Sequence, residues 1–155
     1  MKTLRRALGA ALALSSTSAL AGDEPPLNPA VTQLTIDETI CVSGWTKTQR
    51  PPQSTTGPIK RALFRGDGLP DEAFESAILD HVIPLELGGF LDDARNFQLE
   101  EAEEAREKDR TEHCLRRAVC AGLVTLAEAQ AAIWRDWRSA AALCGDRRRS
   151  ARVAE

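Results

Sequence analysis

Histidine is scarce in this 155-residue chain, with only His81 and His113. Few groups can therefore exchange a proton near neutrality, since imidazole is the one side chain whose ordinary pKa lies there. Several signatures are missing altogether: Gly-x-Ser-x-Gly, the Walker loop, Gly-x-Gly-x-x-Gly and His-Glu-x-x-His. Their absence argues against the serine hydrolases, P-loop enzymes, dinucleotide enzymes and zinc proteases that depend on them. No Cys-x-x-Cys pair exists to seed a zinc site. No apolar run is long enough to span a bilayer. A cationic excess is missing too, the formal net charge being −3. Phosphate affinity comes mostly from Lys and Arg, so charge alone gives no case for a nucleic-acid partner.

A short apolar run over residues 7–14 follows the cations Lys2, Arg5 and Arg6 and precedes Ala19-Leu20-Ala21. A basic start, a short apolar centre and a small-x-small end are the marks of a signal peptide over residues 1–21. The expected mature chain is exported, soluble and without stable membrane association. Setting the three cations aside leaves 17 Lys and Arg against 23 acids and moves the net charge to −6. Acids cluster over 100–107, whereas Arg147, Arg148, Arg149 and Arg152 form a basic tail over 145–155. A mature length near 134 residues suits one domain with a single core. Its four cysteines, at 41, 114, 120 and 144, read as two disulfides in an exported chain.

Residues 22–40 are expected to be a loose, proline-rich lead-in, with a short strand over 35–42 reaching Cys41. Trp45 reads as a core anchor in a polar loop that carries Lys47 and Arg50, two candidate phosphate contacts. Pro58 is placed to open a short helix over 58–64. A central strand is expected over 77–86, a second short one over 96–99, and a long helix over 101–121 that Gly122 ends. Thr125-Leu126-Ala127-Glu128 is a capping box, so another helix should run over 126–143 and pack on the first as an antiparallel hairpin. Leu126, Gln130, Ile133, Trp137, Ala140 and Cys144 share one face of it.

Within the central strand, Asp80-His81 sits in an otherwise apolar run that ends in Leu87-Gly88-Gly89. The pair reads two ways: a buried His–Asp pair, or a proton acceptor beside a hard oxygen donor suited to Mg²⁺ or Mn²⁺. The helix over 101–121 bears on the choice. At about 100° per residue, Ala102, Ala105, Leu115 and Val119 define a stripe about 140° wide, and Lys108, Asp109 and Glu112 fall between its edges. Burying unpaired carboxylates costs several kcal/mol, very roughly, so acids on that stripe should face a metal ion or an arginine. The alternative is an exposed or salt-bridged helix start.

The order of strand with Asp80-His81, glycine turn, strand after Asn96 and acid-bearing helix is joined by further stretches. These are Cys41-Val-Ser-Gly-Trp-Thr-Lys-Thr-Gln-Arg-Pro-Pro, Ala94-Arg95-Asn96-Phe97, Lys108-Asp109-Arg-Thr-Glu112, Val119-Cys120-Ala-Gly, and Ile133-Trp-Arg-Asp-Trp137. Together they resemble the small exported HNH endonuclease-like proteins of bacteria, over Cys41 to about Cys144. The resemblance implies an α+β fold: a ββα-metal core, then a helical hairpin, with 41–144 as the nuclease domain. It implies that His81 is the general base, that Asp80 is the first metal ligand, and that Asn96 braces the loop between the strands and so orients His81. The family's last metal ligand falls near Ala105, which cannot ligate. Asp109 is the substitute, with Glu112 and His113 in reserve and Lys108 a further candidate phosphate contact. One divalent ion is implied, Mg²⁺ or Mn²⁺ first and Zn²⁺ or Ni²⁺ next. The reaction implied is phosphodiester hydrolysis in nucleic acid, DNA before RNA, by a monomer. A disulfide-stapled binding module without turnover is the competing reading.

The cysteine pairing follows from helix geometry. Cys114 and Cys120 lie roughly 9 Å apart along one helix axis and about 120° around it. Disulfide Cα atoms are seldom more than about 6.8 Å apart, so these two cannot join. Of the two pairings left, Cys41–Cys120 with Cys114–Cys144 is expected, because Cys144 folds back closer to Cys114 than to Cys120.

Overall fold

The computed structural model describes residues 24–144. The expected signal peptide over 1–21 and the basic tail over 145–155 lie outside the described residues. Among the described residues five α-helices accompany a two-stranded antiparallel sheet, an α+β arrangement. In chain order these are α1 (Trp45–Gln49), α2 (Gln53–Gly66), β1 (Ile78–His81), β2 (Phe97–Glu100), α3 (Ala102–Cys120), α4 (Leu126–Arg135) and α5 (Trp137–Ala140). The stretch expected to be a polar loop around Trp45 is helical, and α2 begins five residues before Pro58, which lies inside it. Phe64 of α2 is buried and meets Phe74 edge-on at 5.1 Å.

The long helix α3 carries the core on one side. Leu115, Ala118 and Val119 are buried with Ile83 and Leu87 of the loop after β1 and with Ile133 of α4. Gly122 ends it in the left-handed region at φ 68°, and the N–H groups of Gly122 and Leu123 return to the Val119 and Ala118 carbonyls. The Thr125–Glu128 capping box then starts α4. The helix expected over 126–143 is interrupted. Asp136 adopts an extended conformation, and its carboxylate accepts from the N–H groups of Arg138 and Ser139, which starts α5 afresh. Both α4 and α5 pack against α3.

Residues 24–40 are no loose lead-in. Leu27 bridges to Gly89, the Phe90 N–H reaches the Pro26 carbonyl at 2.8 Å, and the Asn28 N–H reaches the Gly88 carbonyl at 2.8 Å. Val31, Ile36 and Ile40 are buried in the core. The strand expected over 35–42 is replaced by a 3₁₀ turn at Ile36–Glu38. Threonine chemistry explains this: the Thr35 hydroxyl donates to the Ala30 carbonyl and the Thr39 hydroxyl to the Thr35 carbonyl, local bonds that compete with a ladder. One disulfide, Cys41–Cys120, ties this segment to the end of α3. The other, Cys114–Cys144, ties α3 to the residues after α5. No described helix is long and apolar enough to cross a membrane.

Candidate active site

β1 is shorter than its apolar run because a side chain takes over from the ladder. The antiparallel register places Asp80 opposite Gln98 and His81 opposite Phe97. Two residues later Asn96 substitutes for a strand: its Oδ1 accepts from the Ile83 N–H at 2.8 Å, and its Nδ2 donates to the Ile83 and Phe90 carbonyls at 3.0 and 2.8 Å. Asn96 is fully buried, so these bonds are not in competition with water. They tie the start and the middle of the loop between the strands to its last residue. Gly88 and Gly89 let that loop close. A Cβ at Gly89 would lie 1.9 Å from the Ile83 carbonyl oxygen, and one at Gly88 would lie 2.6 Å from Val31.

Neighbouring strand residues point to opposite faces, so Asp80 and His81 serve different surroundings. His81 lies against the Phe97 ring, with centroids 4.3 Å apart. Its Nε2 is 3.1 Å from the Leu91 carbonyl oxygen. A carbonyl only accepts, so Nε2 carries the proton and Nδ1 is left as the basic nitrogen. Burial holds the imidazole below its ordinary pKa; the Leu91 bond and Asp80 push the other way, while Lys108 and Arg50 add to the lowering. A neutral ring able to accept a proton is the result.

His81 opens onto a cavity of about 370 Å³. Arg50, Asp80, Glu86, Asp109, Glu112 and His113 also line it, together with the hydroxyl-bearing Thr46 and Thr56. The expected phosphate contacts separate here. Arg50 is at the cavity, whereas Lys47 is exposed on α1 and not part of the lining. Lys108 is the clear correction: its side chain is 0% exposed and cannot meet a phosphate in solution.

The Lys108 ammonium instead lies under the cavity. It donates to Asp80 Oδ2, to the His81 carbonyl at 2.6 Å and to Glu112 Oε1 at 2.7 Å, with Glu100 Oε1 at 3.6 Å. Burial alone would pull its pKa down, but the Glu112 and Asp80 carboxylates outweigh that and raise it, so the lysine stays charged. Burial pushes Glu112 up to about 7 against the pull of Lys108, and burial also raises Glu100. Glu100 belongs to this cluster although composition gave no hint of it. Its position follows from the observed strand pairing, in which Gln98 and Glu100 share a face with Asp80; the strand expected over 96–99 stopped one residue short of it.

The inward acid of α3 is not Asp109. That residue is exposed, at the rim of the cavity. His113 is exposed as well; its Nδ1 donates to the Asp109 carbonyl at 2.9 Å and its Nε2 lies 3.5 Å from Glu86 Oε1. Glu86, which also lies 3.6 Å from Arg116 Nε, lines the cavity and had not been singled out. These donors do not fit a divalent ion at Asp80. Oxygen ligands must approach such an ion to about 2.0–2.6 Å, and the carboxylates of Asp80 and Glu112 already converge on an ammonium. Among the described residues no three His, Cys, Asp or Glu are grouped to hold a metal.

Comparison of the chain with protein-family models, curated proteins and solved structures finds no match in any of the three.

Proposed function

We propose that this chain hydrolyses phosphodiester bonds in nucleic acid, DNA ahead of RNA, as an exported monomer on an HNH-like scaffold. The observation that carries the reading is His81: neutral, its proton parked on Nε2 by Leu91, and facing an open cavity beside Arg50. Asn96 is a positioning residue, since it locks the loop that supplies the Leu91 carbonyl. In the proposed step His81 Nδ1 takes a proton from water as the oxygen bonds to phosphorus. The bond to the 3′ oxygen breaks, that oxygen takes a proton from solvent, and a 5′-phosphate remains. Arg50 would face the non-bridging oxygens. The divalent ion that the resemblance brings with it has no fitting place at Asp80, so no step passes through one. The two disulfides support export, because such bonds persist in oxidising compartments.

A second reading is a non-catalytic binding module on the same scaffold. Two facts favour it: Asp80 is tied to Lys108, and four carboxylates line the cavity against one arginine. Plasmid nicking by the purified protein decides between them, run with Mg²⁺, with Mn²⁺ and with EDTA. Nicking that His81→Ala removes supports hydrolysis. A folded wild-type protein that nicks under none of these conditions leaves the binding module.

A further inference from the structure

We infer that the Lys108 ammonium is the resident cation of this cavity floor, holding Asp80 and Glu112 where a divalent ion would otherwise bind. An ammonium has three protons to donate and no capacity to accept. Lys108 finds three acceptors, one from β1's side chain, one from β1's backbone and one from its own helix, and it is closed off from water. Glu100, 3.6 Å away and 2% exposed, adds a third carboxylate, one oxygen of which has no hydrogen-bond partner. Carboxylate and carbonyl oxygens are the kind that Mg²⁺, Mn²⁺ or Ca²⁺ takes, but here they are spaced around an ammonium and not grouped around an ion. A buried set of that kind must be neutralised by something. Here the neutralising charge is covalently part of α3, and it needs no ion from solution.

The consequence is an exchange. Wild-type protein binds no divalent ion at Asp80, and removing the ammonium while leaving its space should create such a site. This holds whether or not the chain cleaves nucleic acid, because its readouts are metal binding and melting. The experiment follows free Mn²⁺ by electron paramagnetic resonance during titration of the full chain and of Asp80→Asn, Lys108→Ala and Lys108→Met. Wild type and Asp80→Asn should take up Mn²⁺ equally. Lys108→Ala should gain one site with Kd on the order of 10⁻⁴–10⁻³ M, as weak carboxylate sites show, and its melting temperature should rise with Mn²⁺. Lys108→Met, which fills the space without charge, should gain neither. Wild-type Mn²⁺ binding that falls about tenfold or more in Asp80→Asn overturns the inference. So does a folded Lys108→Ala that gains no site. Should Lys108→Ala fold only with Mn²⁺, the inference stands; should it fold under no condition, the wild-type and Asp80→Asn titrations decide.

Discussion

At the scale of single residues, His81 and Asn96 carry the sharpest expectations. His81 is held below its ordinary pKa chiefly by burial, so the unfolded chain binds this proton more readily than the folded one. Its contribution to stability is therefore complete above about pH 6.5 and declines as pH falls below that value. If His81 is the base, the acid limb of the nicking rate should likewise lie below pH 6.5, and His81→Ala should lower the rate by about 10²–10⁴ with near-wild-type circular dichroism. Asn96→Ala strands the Ile83 N–H and the Ile83 and Phe90 carbonyls; each unpaired buried group costs about 1–3 kcal/mol, a loss that urea unfolding would register. The resemblance is what pointed to Asn96 as a brace of the loop between the strands, where it makes its three side-chain bonds. The role of Lys108 was not, although a signal existed. Residues 108, 112, 115 and 119 repeat at spacings of four and three, and all four are buried. Asp109 sits about 100° away from Lys108 on the helix and is turned to solvent. An apolar stripe identifies a sector of helix, and a lysine inside it reads as surface charge until its partners on another element are known.

At the scale of elements, Gly89 after Leu87 and Gly122 at the end of α3 separate close approach from backbone freedom. Gly89→Ala has nowhere to put its Cβ and should destabilise by more than about 4 kcal/mol, or prevent folding. Gly122→Ala has open space but a left-handed φ of 68°, so urea unfolding should show a loss of only about 1–2 kcal/mol. Equal losses at the two positions would mean that the loop does not close as described. The helices α3 and α4 were legible from caps and periodicity. The break at Asp136 was not, because apolar periodicity continues through it to Trp137 and Ala140, while the local competition is a side-chain bond to two N–H groups. Residues 24–40 were misread for a related reason. Proline and polar composition suggest looseness, yet it is the carbonyl of Pro26, which proline retains, that pairs with Phe90.

At the scale of the molecule, both disulfides end on α3. In the chain-entropy picture, linking residues 79 apart restricts the unfolded chain by about 4.5 kcal/mol, and linking residues 30 apart by about 3.6 kcal/mol. Replacing Cys41 and Cys120 together by Ser should thus lower stability more than replacing Cys114 and Cys144. Chemical denaturation of the two double variants compares them directly, and a reversed order would show that the longer link adds less than chain length suggests.

That pairing has a consequence for biosynthesis. The four thiols leave the ribosome in the order 41, 114, 120, 144, and the native bonds join first to third and second to fourth. An oxidant acting on each thiol as it emerges would join the first to the second, Cys41 to Cys114, and leave Cys120 to meet Cys144. The mature connectivity is then reached by thiol exchange, which proceeds through a mixed disulfide at an attacking thiolate. A cell that oxidises the thiols in that order needs an isomerase activity and not merely an oxidase. Strong oxidation of the reduced chain should yield the consecutive isomer in peptide maps, and a glutathione redox buffer should convert it to the crossed one.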